Sequence, residues 1–446
     1  MRVRRRAVAL AGMSFAALLA AGACRGERTA AAAAYTGPFA DEVRDAIPKI
    51  ERVSRVPFRT PPKVEARSSA EVRAFLERQF EEENTASELV GQSAAYKRLG
   101  LIDDTLDVRQ MLLDLLTEQI VGFYDPDTKV LYVVESAPQD MRKTIIEHEL
   151  IHALQDQYVD LDSLRRLTQG NNDLASAVQS VTEGQAVYEQ LEANLGIGDI
   201  AARLPGGWDR VRTEIRRSST NMPLFSTAPL LFQETLLFPY LSGAEFVRRA
   251  KLSDSLPVAE MRLPVSTEQV MHADAYDGQG DAPTRIELPR PAGGEPIYSN
   301  NLGEFETRLL LYAWSRDQAA AVRGAAGWDG DRYVLFRTPE GEAIAWLTVW
   351  DSPVDAGEFF DVAHDALARR FRDLRSESVG AHERRYTGGG RAMRLTATEV
   401  QGRPAVLFVD VPRGGRTDEL LDLSAVRLTE QASLPTPRPA AGGGAP

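Results

Sequence analysis

The run His148-Glu149-Leu150-Ile151-His152, set in the apolar-periodic stretch Met141–Tyr158, constrains this chain more than any other feature. Residues four apart share a helical face, so the two imidazoles can grip one metal ion while Glu149 points at the ligand position that the metal keeps free. The pattern demands a helix with a site beside it, and its chemistry is that of a hydrolytic zinc centre. With five histidines in the whole chain, chance would produce such a string in on the order of a few chains per thousand. Ile145-Ile146, Leu150-Ile151 and Ala153-Leu154 surround the helix with apolar residues, which implies burial in a core. A buried histidine pair needs partners, and a metal supplies both at once.

Two histidines leave a catalytic zinc one protein ligand short, since such sites take three and reserve the fourth position for water. A second helical pattern, Leu174–Leu195, contains Val181-Thr182-Glu183-Gly184-Gln185-Ala186, and the small Gly184 and Ala186 would let it approach the first helix closely. Glu183 is one candidate ligand. Asp156, one turn beyond His152, is the other, and its place also suits accepting a hydrogen bond from an imidazole N–H to fix the tautomer.

Composition is ordinary for a globular protein, 43% hydrophobic and 26% charged over 446 residues, enough for two domains with proper cores. Arg2, Arg4, Arg5 and Arg6 followed by the apolar run Ala7–Ala23 read as an export signal, residues 1–24. The single cysteine, Cys24, follows Leu19-Ala20-Ala21-Gly22-Ala23. Small residues before such a cysteine resemble the lipobox of bacterial lipoproteins, in which the cysteine is lipidated and anchors the protein to a membrane. Ala21 stands where leucine is usual, so ordinary signal cleavage or an uncleaved anchor stays open. Either way the body is expected outside the cytoplasm, without disulfides. Formal net charge is −12, and the exported part is more acidic still because residues 1–23 hold four arginines and no acid. Nucleic-acid binding is therefore not expected.

The fold class implied is α+β. A tether over 25–55 leads to a mostly helical domain with a small β-sheet, 56–290. A smaller α+β domain with an antiparallel sheet follows over 297–432, then a disordered tail, 433–446. Within this scheme Ser68–Gly100 and Asp107–Gln119 read as helices. Ile120–Tyr124 and Val130–Val134 flank a Pro-containing turn and read as a β-hairpin. An edge strand just before a metal helix can add a substrate backbone as a further strand. In the second domain the pattern gives a helix over Leu302–Gly324, strands Arg332–Arg337 and Glu342–Trp350, the helix Val354–Arg372, and strands Arg391–Thr398 and Ala405–Val411. Its His364 and His382 stand alone, and Gly388-Gly389-Gly390 lacks the strand-to-helix context of a phosphate loop.

Several stretches together resemble a group of zincin-like bacterial lipoproteins of the gluzincin type. They include Gly122-Phe123-Tyr124-Asp125-Pro126, Glu147 to Gln157, Glu183-Gly184-Gln185-Ala186, Phe238-Pro239-Tyr240, Ser266 to His272 and Gly327 to Tyr333. The resemblance implies a metallopeptidase-like fold with His148, His152 and Glu183 as ligands of one zinc ion per chain. Better-known gluzincins often carry an aspartate four residues after the ligand glutamate, where this chain has Val187, so the supporting contacts must differ and Asp156 is the nearest candidate. Glu149 would act as general base in hydrolysing a peptide or protein substrate. His272 is the candidate donor to the oxyanion, with Tyr240 and Tyr124 behind it. The competing expectation is a metal-stabilised binding or envelope-assembly lipoprotein, for which a general base would have no use.

Overall fold

The computed structural model describes residues 29–435 apart from 82, 197–206, 254–259, 278–279, 371–372 and 419. The export signal with Cys24 and residues 436–446 of the expected tail lie outside the described residues. Among the described residues no helix is long and apolar enough to cross a membrane.

Helices α1 (Ala30–Ala34) and α2 (Ala40–Ser54), strand β1 (Lys63–Arg67) and helices α3 (Ser69–Glu81), α4 (Glu83–Leu99) and α5 (Val108–Gln119) lead to strands β2 (Gly122–Asp125) and β3 (Val130–Val134). Helices α6 (Gln139–Tyr158), α7 (Leu161–Leu167) and α8 (Asn172–Leu195) follow. Next come α9 (Gly207–Thr220), α10 (Pro223–Thr227), α11 (Leu230–Phe238), a π-helical turn Pro239–Gly243, α12 (Ala244–Ser253), α13 (Thr267–Met271) and α14 (Ala273–Tyr276).

The hairpin forms as its alternation implies, with β2 antiparallel to β3 and β1 parallel on the other side of β3. Its turn is closed by Asp125, whose carboxylate accepts from Asp127 N at 3.0 Å and Thr128 Oγ1 at 2.8 Å. Helix α6 is buried from Ile145 to Asp156, as its apolar surround requires. Its Ile146, Leu150, Ile151 and Leu154 share a core with Leu131 and Val133 of β3 and with Val43, Ile47 and Ile50 of α2.

That last contact corrects the expected tether. Residues 40–54 are a helix whose Val43, Ala46, Ile47, Ile50 and Val53 are buried at helical spacing. Pro48 within it removes one backbone donor, and burial of the apolar face against α6 offsets that loss. The helix expected over 68–100 is described as α3 and α4, on either side of residue 82.

The C-terminal part holds a two-stranded ladder of β4 (Thr284–Glu287) with β12 (Arg427–Glu430), and an antiparallel seven-stranded sheet. In spatial order that sheet runs β5 (Glu295–Asn300), β6 (Trp328–Thr338), β7 (Gly341–Trp350), β11 (Arg403–Pro412), β10 (Arg391–Val400), β9 (Glu383–Gly388) and β8 (Arg375–Ser378). Alternate residues of β7 face opposite layers. Ile344, Trp346 and Trp350 meet helices α15 (Gly303–Ser315), α16 (Gln318–Ala325) and α17 (Pro353–Arg370), while Ala345, Leu347 and Val349 meet Ile286, Leu420 and Leu421. The helix expected over 302–324 is divided between α15 and α16, because Arg316 takes a left-handed conformation (φ 58°) and Asp317 caps the next helix by accepting from Ala320 N at 3.0 Å.

Candidate metal centre

Two helices bring the site together. Asp140 in the first turn of α6 suits the helix dipole, and three turns on α6 presents His148 and His152 on one face. Asn171 caps α8 by accepting from Leu174 N at 3.0 Å, and α8 then carries Glu183 to the two imidazoles. Gln190 Nε2 ties the helices by donating to Thr144 O of α6 at 2.6 Å. The close approach at Gly184 is not to α6, as its small size had implied, but to the π-helical turn. A Cβ on Gly184 would lie 2.2 Å from the Gly243 carbonyl carbon, and one on Gly243 would lie 2.2 Å from Ser180 O. Ala186 does face the core shared with α6.

His148 Nε2, His152 Nε2 and Glu183 Oε2 form a nearly equilateral triangle. Its edges are 3.3 Å between the imidazoles, 3.3 Å from His148 to Glu183 and 3.4 Å from His152 to Glu183. A tetrahedral zinc ion about 2.0–2.1 Å from each of three such ligands requires edges of about 3.3–3.4 Å. The residues fit that ion in donor type and spacing, and among the described residues they are the one cluster of histidine, cysteine or acidic side chains close enough to hold a metal. Burial opposes charge on Glu183, but the imidazoles overcome it and hold the carboxyl well below its ordinary range. Burial opposes charge on His152 as well, and the Glu183 carboxylate outweighs it, raising that imidazole to about 9. Without a metal the three side chains thus satisfy one another as a buried ion-paired cluster.

Glu149 stands beside the triangle without belonging to it. Its Oε2 accepts from Tyr124 N at 2.8 Å, and its Oε1 is buried with no hydrogen-bond partner. Burial is the main influence raising its carboxyl above the usual range, against the pull of His152 and His148. Val134 N donates to Val121 O, so by antiparallel alternation Phe123 and Asp125 bond inward to β3 while Gly122 and Tyr124 turn their backbone groups outward. The Tyr124 N–H therefore reaches Glu149. A cleft of about 220 Å³ opens at this point, lined by Glu149, His152, Glu183, Tyr124, Pro126 and apolar residues of α7 and α8 such as Leu164 and Val178.

Asp156 does not serve an imidazole, contrary to expectation. Its oxygens accept from Tyr124 Oη at 2.6 Å, Lys129 Nζ at 2.9 Å and Leu161 N at 2.9 Å, because the hairpin delivers those donors to it. The group that holds His152 is Gln155, whose Oε1 lies 2.8 Å from His152 Nδ1. Gln155 Nε2 donates to Thr182 O and to Gln185 Oε1, both at 2.9 Å, so the amide oxygen faces the ring and fixes Nδ1 as the protonated nitrogen. Sequence reasoning passed over Gln155 because it sought a carboxylate, although a residue three positions after His152 on the same helix can reach its ring.

His272 is not brought to the triangle. Its Nε2 lies 3.0 Å from Glu304 Oε1 of α15, it lines no part of the cleft, and that carboxylate raises its pKa. A buried acid elsewhere thus claims the histidine expected at the oxyanion. Tyr240 is closer, its ring 6.2 Å from that of His148 at an interplanar angle of 29°. His364 bonds Tyr386 Oη through Nδ1 at 2.8 Å, away from the site.

One family model matches the chain, that of a domain of unknown function (DUF8575), over residues 291–420. The match takes in the seven-stranded sheet with α15, α16 and α17 and leaves the triangle of His148, His152 and Glu183 outside. No curated protein and no solved structure matches the chain.

Proposed function

We propose that the protein is a zinc-dependent hydrolase of the cell envelope that cleaves peptide bonds, with His148, His152 and Glu183 holding the metal and the helical unit around α6 and α8 as a zincin-like catalytic fold. The observation that carries this reading is Glu149 Oε1, a buried carboxylate oxygen without a partner at the open side of a three-ligand triangle. A structural zinc is closed by four protein ligands and has no use for such an oxygen.

Zinc, when bound, lowers the pKa of a water in its fourth position and polarises a carbonyl. The remaining work falls to the chain. Glu149 Oε1 takes one proton of the attacking water as the water oxygen bonds to the peptide carbonyl carbon, and later gives that proton to the leaving nitrogen as the C–N bond breaks. Gln155 keeps His152 in the tautomer whose Nε2 lone pair faces the triangle. Pro126, Leu164 and Val178 give the cleft an apolar wall along which a substrate segment can lie. Export and a lipid on Cys24, read from the N-terminal sequence, would place this chemistry at a membrane outside the cytoplasm.

Glu149→Gln tests the reading. The variant should keep about one zinc per chain and the parent's thermal midpoint, yet lose hydrolysis of unfolded casein by several orders of magnitude. Equal cleavage by variant and parent, or a zinc-loaded parent that cleaves no peptide, would favour a metal-stabilised binding protein instead.

A further inference from the structure

We infer that Asp156, acting through Tyr124, positions Glu149 for proton transfer; this rests on the hydrolase reading above. Glu149 and Asp156 lie seven residues apart on α6, about two turns, so both face the hairpin. Tyr124 spans the interval between them. Its backbone N–H holds Glu149 Oε2 at 2.8 Å and its phenol donates to Asp156 Oδ2 at 2.6 Å. Strand β2 is thus bolted to α6 at two heights by one residue.

The purpose of the lower bolt follows from the upper one. The terminal torsion of a glutamate is broad and nearly two-fold, so an unrestrained carboxylate presents either oxygen or neither. A fixed N–H on Oε2 leaves Oε1 as the oxygen turned to the substrate, and that selection is as good as the placement of Tyr124. Asp156 supplies the placement. Its side chain is 1% exposed, and it is pinned in turn by Lys129 Nζ and by Leu161 N at the start of α7. Lys129 sits at φ 60°, a left-handed conformation in the hairpin turn that glycine adopts with less strain. Glycine there would remove the cation that Asp156 holds. Tyr124 stays protonated, since burial and then the Asp156 charge push its phenol far above the usual range, and it therefore remains a donor.

The test uses zinc-loaded full-length protein and labelled unfolded casein, with zinc content and thermal midpoint read on each preparation. Tyr124→Phe keeps the ring and the backbone N–H and removes the lower bolt. It should retain about one zinc per chain and the parental KM while kcat falls about tenfold or more. Asp156→Ala should lose a similar factor, and the double variant no more than the worse single, because both act along one line. Asp156→Asn, whose one amide oxygen can still accept from Tyr124 while its NH2 replaces the acceptor of Leu161 N and Lys129 Nζ, should recover kcat in part. Parental kcat in Tyr124→Phe with zinc intact would overturn the inference while leaving the hydrolase reading standing, as would a rise in KM without a fall in kcat or additive losses in the double variant. A zinc-loaded parent that leaves casein uncut would bring down the hydrolase reading, and the inference with it.

Discussion

Substituting Gln155 by leucine would take the partner from the His152 Nδ1–H and the Gln185 amide oxygen and a second donor from the Thr182 carbonyl. Loss of a group that orients a ligand histidine typically lowers metal affinity about 10–100-fold, and that is the expected result here, measured by competition with a chromophoric chelator. Unchanged affinity would mean that packing alone holds the ring. At this scale the sequence was readable where spacing on one helix decides geometry. The positions of His148, Glu149 and His152 on one buried helix followed from their numbers, and Glu183 does meet both imidazoles. Asp156 and His272 were misassigned because the choice of partner depends on what the fold delivers. Tyr124 and Lys129 reach Asp156 only when the hairpin closes over α6, and Glu304 reaches His272 from a helix more than thirty residues on.

Gly184 and Gly243 mark where an element, not a residue, sets the position of Glu183. A methyl group on Gly184 would meet the Gly243 carbonyl carbon at 2.2 Å, which is backbone and cannot rotate away. Gly184→Ala should cost about 1–3 kcal/mol by overpacking and displace the adjacent Glu183, so both thermal midpoint and zinc content should fall. Retention of both would show that the π-helical turn yields freely. Elements with strong periodicity, α6, α8, the hairpin, β7 and α17, were legible from pattern alone. Helix α2 was not, although Val43, Ala46, Ile47, Ile50 and Val53 already stood at helical spacing. Pro48 and an alanine-rich approach obscured them, and tertiary packing overrode the local signal. The break at Arg316 escaped for a related reason: Asp317 caps a new helix where apolar spacing suggested one that continues.

A buried acidic seam joins helix α8 to the C-terminal sheet. Asp173 in the first turn of α8 accepts from Thr267 N at 2.9 Å and Thr267 Oγ1 at 2.5 Å, while its own N–H donates to Asn301 Oδ1. Asp331 of β6 accepts from Leu302 N, Gly303 N and the indoles of Trp328 and Trp346, fixing the start of α15. Burial raises Asp173 to about 7 and Glu306 to about 8. Folded-state pKa values above the unfolded ones mean that protons are bound on folding. The stability tied to these groups is therefore complete below about pH 4 and lost as pH rises through 7 to 8. Asp173→Asn, which does not titrate, should gain thermal midpoint relative to the parent as pH rises from 5 to 8. A difference that stays flat over that range would remove Asp173 from the account.

Burial of α1 and α2 in the core shared with α6 also changes what the expected tether can be. A tether running to residue 55 would let a lipid-anchored domain roam on the order of 100 Å from the bilayer at full extension. Ala31 and Ala32 instead belong to the core that contains Ile146 and Leu150, so the chain is already part of the folded body there. Were Cys24 lipidated, as proposed, the folded body would begin within a few residues of the anchor, and α1 and α2 would be its footing rather than its leash.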